Sequence, residues 1–202
     1  MFQTITKLIN DLDINTISAD RKKVLSALTH YIKSKIGSGE QIRLNFICTH
    51  NSRRSHLSQI WAQAMAAYYG IPNVFCYSGG TEATAMFPKV GETLTNQGFR
   101  VDKLSEGDNP IYAIAYAEND HPVIAFSKTY DAAFNPASGF AAIMTCSSAD
   151  AGCPMVLGCD ARIAMTFEDP KLSDGTPQQT ETYLERSLQI ATELKFVFAG
   201  LS

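Results

Sequence analysis

The hydrophobic and polar positions of this 202-residue chain follow two different periods, and the period changes several times along the sequence. Apolar residues recur at helical spacing over residues 18–36, a segment that Ser18 can cap and that Gly37 and Gly39 can end. Residues 42–47 alternate between apolar and polar side chains, which predicts a strand. Helical spacing returns over residues 57–68. The first third of the chain therefore predicts a helix, a strand and a second helix.

The rest of the chain continues this exchange of strands and helices. The pattern predicts a helix at 89–97, a turn at Ser78-Gly-Gly80 and strands at 73–77, 111–116, 123–127, 140–145 and 162–166. Strands that alternate with helices are typical of the α/β class. We therefore expect a three-layer α/β/α fold with a mostly parallel central sheet.

The last helix has the clearest predicted start in the sequence. Thr176 is placed as its N-cap, with Pro177 at the first helical position and Gln179 as the third residue after the cap, which makes a capping box. Its predicted apolar face consists of Leu184, Leu188, Ala191, Leu194 and Phe198. The sequence thus places the terminal helix directly after residues 167–170.

Length, composition and charge limit the possible classes of protein. A chain of 202 residues is long enough for one α/β core and short for two, so we expect a single domain over residues 1–202. The net charge of −3 argues against a nucleic-acid or anionic membrane surface, which requires clustered Lys and Arg. No apolar run approaches the roughly 20 residues that span a bilayer. Since no signal-peptide pattern is visible, we expect a cytoplasmic protein.

The cysteines and histidines do not form a structural framework. The five cysteines are an odd number without a CxxC pair, which excludes a typical zinc ribbon and favours reduced thiols: Cys48, Cys76, Cys146, Cys153 and Cys159. The four histidines have no metal-ligand spacing, so we expect no metal site and no cofactor.

The candidate chemistry lies in the segment Cys48-Thr-His-Asn-Ser-Arg-Arg54-Ser55, between the strand at 42–47 and the helix at 57–68. A loop that enters a helix presents unpaired N–H groups and a partial positive charge, and this environment stabilises both a bound anion and a thiolate. Arg54 can hold two oxygens of a tetrahedral oxyanion with its planar guanidinium. Ser55 can donate to the sulfur of Cys48, and Asn51 can brace the loop.

The predicted oxyanion site includes every residue after the nucleophile: Thr49, His50, Asn51, Ser52, Arg53, Arg54 and Ser55. Arg53 has two interpretations at this stage. It either adds positive charge at the mouth of the site or is a solvated surface arginine, and we slightly favour the second.

Three segments resemble the low-molecular-weight protein tyrosine phosphatases and the thioredoxin-coupled arsenate reductases that share their fold. The first, which is similar to the phosphate-binding loop, is Phe46-Ile-Cys-Thr-His-Asn-Ser-Arg-Arg-Ser55. The second, which is similar to the segment after the second strand, is Tyr77-Ser-Gly-Gly-Thr-Glu-Ala83 with Phe87-Pro88. The third, which is similar to the general-acid loop, is Phe167-Glu-Asp-Pro170. The resemblance implies a phosphatase-like α/β domain over residues 41–202, preceded by a helical N-terminal extension over residues 1–40. It also implies Cys48 as nucleophile and Asp169 as the acid that protonates a leaving group and later activates water.

The chain departs from this family pattern at three positions. His50 replaces the glycine that usually follows two residues after the nucleophile, so the loop must tolerate a side chain there. Arg53 stands where family members often have a second cysteine, which excludes a disulfide within the loop. Lys171 follows the Asp-Pro pair where the tyrosine phosphatases typically have Tyr, so a phosphotyrosine ring loses a stacking partner.

Two further cysteines distinguish the activities within the family. The segment Cys146-Ser-Ser-Ala-Asp-Ala-Gly-Cys153 resembles the thiol relay of the arsenate reductases, in which successive thiolates expel arsenite and take over the resulting disulfide. The alternative is that Cys146 ends a strand as a small buried hydrophobic residue and Cys153 is incidental.

Three hypotheses follow for the function. The first is an arsenate reductase-like enzyme that uses Cys48, Arg54, Asp169, Cys146 and Cys153, with thioredoxin as reductant and arsenate or phosphate as the bound oxyanion. The second is a low-molecular-weight protein tyrosine phosphatase that hydrolyses phosphomonoesters through a cysteinyl-phosphate, without the relay. The third is a non-catalytic oxyanion sensor or redox switch.

Overall fold

The computed structural model of the protein describes residues 1–153 and 155–201. In chain order its helices and strands are α1 (Gln3–Asp11), α2 (Ala19–Ser38), β1 (Ile42–Cys48), α3 (Arg54–Tyr68), β2 (Val74–Gly80), α4 (Pro88–Asn96), β3 (Arg100–Lys103), β4 (Tyr112–Ala115), β5 (Val123–Ala125), β6 (Phe140–Met144), α5 (Ser147–Gly152), β7 (Cys159–Ala164) and α6 (Gln179–Ala199). Short 3-10 turns occupy Ile14–Thr16 and Pro170–Ser173. Among the described residues, no helix is long and apolar enough to cross a membrane.

A four-stranded sheet with the order β2-β1-β6-β7 forms the centre of the fold, and all three strand pairs are parallel. The chain leaves β1 to build β2 on one side and later returns to build β6 on the other side. This reversal opens a crevice at the carboxyl end of β1, which is where ligands bind in open parallel sheets. The mostly parallel sheet predicted from the sequence is confirmed.

Helices cover both faces of the parallel sheet, as the α/β/α prediction requires. On one face, α2, α3 and α6 bury the larger core with Leu44, Phe46 and Ile163 from the strands. On the other face, α5 covers Ile47 and Met144 in a smaller cluster. Because both faces are covered, β1 is buried along almost its whole length, including the polar Asn45. The apolar and polar alternation of 42–47 therefore identifies the strand correctly and does not mark a solvent face.

Strands β3, β4 and β5 form a separate antiparallel sheet. The strands predicted at 111–116 and 123–127 are present as β4 and β5, whereas β3 has no counterpart among the predicted elements. β3 is short and mostly exposed, so it lacks the apolar periodicity that identifies a buried strand. The strand predicted at 162–166 begins earlier, at Cys159.

The turn predicted at Ser78-Gly-Gly80 is wrong, because these residues complete β2. Gly80 pairs in register with Cys48, the last residue of β1. A Cβ atom on Gly80 would lie 2.3 Å from the Glu82 carbonyl oxygen and 2.7 Å from the Asn51 nitrogen. The glycine is therefore required by a close approach of the loop that follows β1, and it does not mark a turn.

The predicted capping box of the last helix is also wrong. Helix α6 begins at Gln179, after an N-cap at Gln178 that makes no side-chain capping bond. The hydroxyl of Thr176 donates instead to the Ser173 carbonyl, at 2.7 Å, because the preceding 3-10 turn uses it. Leu184 of the predicted apolar face is 40% exposed, and Tyr183 takes the buried position beside it.

The N-terminal helices are part of the main core. Ile5 and Ile9 of α1 and Leu25, Leu28 and Ile32 of α2 are fully buried in the same cluster as the sheet. The helical character predicted for residues 1–40 is present, and this segment packs as an integral layer of the fold.

Replacing Leu28 with Ala should lower the free energy of unfolding by about 2–5 kcal/mol, because the substitution leaves a cavity under α2. Ile36→Ala on the same helix is the matched control, since Ile36 is 43% exposed and its loss should cost less than about 1 kcal/mol. Urea unfolding followed by circular dichroism measures both values. Equal losses in the two variants would show that α2 is not packed as described.

Candidate active site

The predicted oxyanion loop lies in the crevice at the carboxyl end of β1. Cys48 is the last residue of β1 and Arg54 is the first residue of α3, so the strand, loop and helix follow one another as predicted. Only 4% of Cys48 is exposed. The thiol is therefore almost completely enclosed by the loop and by the cluster of buried residues around it.

The carbonyl groups of the loop point away from its centre. Four of them accept hydrogen bonds from outside the loop: Cys48 O from Thr81 N (3.1 Å), Thr49 O from Glu82 N (2.8 Å), His50 O from Ser127 Oγ (2.9 Å) and Ser52 O from Phe87 N (3.0 Å). The backbone N–H groups of residues 49–53 have no acceptor within the described part of the chain. A run of free N–H groups with outward carbonyls is an anion-binding nest.

Asn51 orients the Ser55 hydroxyl so that its hydrogen points towards Cys48. The Lys128 backbone N–H donates to Asn51 Oδ1 at 2.9 Å, which fixes the orientation of the side-chain amide. Asn51 Nδ2 consequently donates to Ser55 Oγ at 2.9 Å. Because Ser55 Oγ accepts there, its own hydrogen is free for Cys48 Sγ, 3.1 Å away. This geometry is compatible with the predicted roles of Ser55 as a donor to the Cys48 sulfur and of Asn51 as a support of the loop.

His50 fits the loop without the glycine that the family usually has. The left-handed residue of the loop is Asn51, with φ of 44°, a conformation that Asn tolerates better than most residues. His50 does not have a positive φ. Its Nδ1 atom lies 3.3 Å from a Glu82 carboxylate oxygen at the rim of the loop.

The structure brings Arg54 and Asp169 together across 115 residues of sequence. Arg54 Nη2 donates to Asp169 Oδ2 at 2.5 Å, and Nη1 donates to the Phe167 carbonyl at 3.0 Å. Asp169 precedes the 3-10 turn and accepts from the Lys171 N–H at 3.1 Å, which holds the carboxylate over the start of α3. An anion that takes the guanidinium of Arg54 would release Asp169 from this ion pair.

The interpretation of Arg53 as a solvated surface arginine is wrong. Its side chain is 11% exposed and donates from Nε to the Tyr183 hydroxyl at 2.5 Å and from Nη2 to Asp174 at 2.6 Å. The guanidinium also lies over the Phe87 ring, 4.2 Å from its centre. Because Nε and Nη2 bind Tyr183 and Asp174, the Arg53 side chain is held against these two residues, and its backbone N–H is the group that belongs to the run of free N–H groups in the loop.

Asp174 is held ionised by this network. Burial alone would raise the pKa of Asp174, but hydrogen bonds from Tyr183, Gln179 and Arg53 lower it overall. Burial and the contact with Asp174 raise the pKa of Tyr183, so its hydroxyl remains a donor. The network ties the last loop residue before α3 to the segment that also carries Asp169.

The three thiols of the predicted relay lie on the same face of the sheet. Cys48, Cys146 and Cys153 belong to one buried cluster. The hydroxyl of Thr49, next to the nucleophile, lies 3.5 Å from Cys146 Sγ. All five cysteines are free thiols.

The remaining two cysteines occupy different environments. Cys76 lies in the core on the opposite face, and burial raises the pKa of its thiol strongly. Cys159 is partly exposed and packs against the cluster that contains Cys153. Among residues 1–153 and 155–201, no three His, Cys, Asp or Glu side chains are grouped as metal ligands.

Several supporting residues were not predicted from the sequence. Ser127 and Thr84 both donate side-chain hydroxyls to the His50 carbonyl, at 2.9 and 3.1 Å. Lys128 is 4% exposed, and its ammonium lies over the Phe126 and Phe134 rings. Burial lowers the pKa of Lys128 to about 8. The sequence contains no periodic or motif signal that links these positions to the loop.

The comparisons with known proteins agree with the fold and the loop. The family model described as low molecular weight phosphotyrosine protein phosphatase matches residues 43–136, slightly less than half of the chain. This match confirms the predicted superfamily. A search of curated proteins found no match to the chain.

Three solved structures share this fold. A low-molecular-weight phosphotyrosine phosphatase from Vibrio cholerae O395 has 13% identity and a TM-score of 0.50, with 77% of this chain and 93% of that chain covered. An arsenate reductase in the phosphate-binding state has 16% identity and a TM-score of 0.50, with coverage of 80% and 100%. A YwlE mutant from Bacillus subtilis has 15% identity and a TM-score of 0.50, with coverage of 80% and 99%. At these identities the likeness shows the superfamily fold alone.

Replacing Arg53 with Ala should lower the free energy of unfolding by about 1–3 kcal/mol, because it leaves the partly buried Asp174 carboxylate without its charged partner. Arg100→Ala is the control, since the Arg100 ion pairs are more than half exposed and should contribute about 0–1 kcal/mol. Denaturant unfolding at neutral pH compares the two. A loss for Arg53→Ala no larger than that of the control would contradict a structural role for the network.

The buried Lys128 should make stability depend on alkaline pH. Its pKa is lowered to about 8 in the folded protein, against about 10.4 for an unfolded lysine. Between these values the unfolded chain binds more protons, so the cost of burying the protonated Lys128 disappears and the wild type gains stability as pH rises. Lys128→Met lacks this gain, and its stability relative to wild type should fall by roughly 2–3 kcal/mol between pH 7.5 and 10.

The measurement is urea unfolding of both proteins at several pH values, with Lys33→Met, a substitution of an exposed lysine in α2, as control. The contributions of other groups that titrate at alkaline pH cancel, because the free energy of unfolding of each variant is compared with that of the wild type at the same pH. A difference that stays constant for Lys128→Met, as it should for the control, would show that the ammonium is not buried.

Proposed function

We propose that the protein is a cysteine-dependent arsenate reductase of the low-molecular-weight phosphotyrosine phosphatase superfamily. The observation that carries the proposal is the position of Cys146. Its sulfur lies 3.5 Å from the hydroxyl of Thr49, the residue that follows Cys48 in the chain, and it shares a buried cluster with Cys48 and Cys153. A resolving thiol must lie close to the adduct that it attacks.

The first step is the capture of the oxyanion by Cys48. The thiolate attacks arsenate and forms a sulfur–arsenic bond while one oxygen leaves as water. The free N–H groups of residues 49–53 and the Arg54 guanidinium neutralise the charge of the anion. As the anion takes Arg54, the Asp169 carboxylate leaves the ion pair, takes up a proton from solvent and donates it to the leaving oxygen.

The second step transfers two electrons from thiols to arsenic. The Cys146 thiolate attacks the sulfur of Cys48, the sulfur–arsenic bond breaks, and the electron pair leaves with arsenic as arsenite. A Cys48–Cys146 disulfide forms. The Cys153 thiolate then attacks Cys146 and releases Cys48, so the oxidised enzyme carries a Cys146–Cys153 disulfide that an external dithiol reduces. We propose thioredoxin as this dithiol.

Hydrolysis of phosphomonoesters is the second candidate function. The position of Asp169 favours it, because the carboxylate lies 2.5 Å from the arginine that would hold the phosphate. The family model that matches residues 43–136 also describes phosphotyrosine phosphatases. This reaction uses Cys48, Arg54 and Asp169 and does not require Cys146 or Cys153.

The two functions separate when the relay cysteines are replaced. Purified protein mixed with arsenate, thioredoxin, thioredoxin reductase and NADPH should oxidise NADPH in an arsenate-dependent manner. Cys48→Ser, Cys146→Ser and Cys153→Ser should each reduce this rate at least about a hundredfold, because each removes a nucleophile for which no other group substitutes. Absorbance at the NADPH band measures the rate.

Cys76→Ser is the matched control, since Cys76 is a buried thiol on the opposite face of the sheet and should be dispensable for turnover. Hydrolysis of an aryl phosphate is measured in parallel. Wild-type protein that hydrolyses the ester at the same rate as Cys146→Ser, with no arsenate-dependent NADPH oxidation, would overturn the reductase proposal in favour of the phosphatase.

A further inference from the structure

Helix α5 separates the two cysteines that must form the final disulfide. Cys146 is its N-cap and Cys153 is its C-cap. A separation of seven positions along a helix corresponds to a rise of roughly 10 Å, whereas a disulfide requires its Cα atoms to lie roughly 4.4–6.8 Å apart. The Cys146–Cys153 disulfide therefore cannot form until the last turn of α5 opens.

One arginine holds that turn closed from outside the helix. Arg162 of β7 donates from Nε to the Cys153 carbonyl at 3.2 Å and from Nη2 to the Asp150 carbonyl at 2.6 Å. Nη2 also forms an ion pair with the Asp150 carboxylate at 2.6 Å. In the part of the chain that the structure describes, no other side chain outside α5 hydrogen-bonds to the backbone of residues 150–153.

The helix depends on this contact because its own contribution is small. α5 has six residues, far fewer than the roughly 12–15 at which an isolated helix becomes marginally stable. Of the six, only Ala149 is buried. Its internal bonds include Asp150 N to Cys146 O and Cys153 N to Ala149 O, both at 3.0 Å. Opening the last turn breaks one of these bonds and all three contacts of Arg162.

We propose that Arg162 is a latch that keeps Cys153 away from Cys146 and so sets the rate of the final thiol exchange. The inference rests on the proposed function, because the latch matters only if these two cysteines form a disulfide. Arg162 does not touch the oxyanion loop. It acts as a positioning residue for Cys153 through the backbone of α5.

The test measures how fast the Cys146–Cys153 disulfide forms in reduced protein after oxidised glutathione is added. Free thiols are trapped at intervals with N-ethylmaleimide, and the disulfide is quantified by peptide mass spectrometry. Arg162→Gln should accelerate formation roughly tenfold, the effect of losing about one net charged hydrogen bond. Arg162→Lys retains a positive donor and should lie between wild type and Arg162→Gln.

The control is Arg43→Gln, because Arg43 is an arginine of the same sheet that donates to the Ser138 carbonyl and not to α5. It should form the disulfide at the wild-type rate. Hydrogen exchange should increase in residues 147–153 of Arg162→Gln while the rest of the protein is unchanged. Aryl phosphate hydrolysis should be equal in wild type and Arg162→Gln, which separates a specific latch from general destabilisation.

The latch is overturned if Arg162→Gln forms the disulfide at the wild-type rate or more slowly. The proposed function survives that result provided that wild-type protein forms the disulfide and reduces arsenate. Absence of a Cys146–Cys153 disulfide in every variant, together with no arsenate turnover, overturns the reductase function and the latch with it.

Discussion

The outward orientation of the carbonyl groups in the loop after β1 is the constraint on which the rest of the site depends. Each carbonyl needs a donor from outside, and Thr81, Glu82, Phe87 and Ser127 supply them. The same requirement explains why Gly80 has no room for a side chain, since the donor segment must approach the loop closely. Once the carbonyls are satisfied, the N–H groups of residues 49–53 can only turn inward. The anion site is therefore built mainly by the neighbours of the loop, and the polar side chains within the loop refine it.

The two adjacent arginines show how one short segment is divided between binding and support. Arg54 faces Asp169, where an incoming anion competes for the same guanidinium. Arg53 binds Tyr183 through Nε and Asp174 through Nη2. Because Asp169 and Asp174 belong to one segment before α6, both arginines hold the same piece of chain against the start of α3. The predicted acid is thereby positioned from two sides, although only one arginine touches it.

The sequence predicts the structure correctly where a local pattern determines it. It does not predict the structure where a side chain depends on a partner that is distant in the sequence. The order of strand, loop and helix around Cys48 was predictable, because periodicity and the Cys-to-Arg spacing are both local. The partner of Arg53 lies 121 residues away, so its burial had no local signature. The predicted start of α6 is wrong because the Thr176 hydroxyl donates to the Ser173 carbonyl of the preceding turn and does not cap the helix. Ser127 and Lys128 were missed for the same reason as Asp174, since only the folded chain brings them to the loop.

The positions of the thiols imply different demands on the two exchanges of the proposed relay. Cys146 lies 3.5 Å from the Thr49 hydroxyl and in the same buried cluster as Cys48, so the proposed attack on Cys48 joins residues that are already packed together. Transfer to Cys153 requires α5 to open, because the two cysteines cap opposite ends of that helix. A segment that must move is best built with few buried contacts, and Ala149 is the only buried residue within α5. Because α5 has so few buried contacts, its closed state depends on the contacts that Arg162 of β7 makes with it. In the proposed relay, the low intrinsic stability of α5 and its dependence on Arg162 serve one requirement. The helix must open when Cys153 accepts the disulfide and close again afterwards.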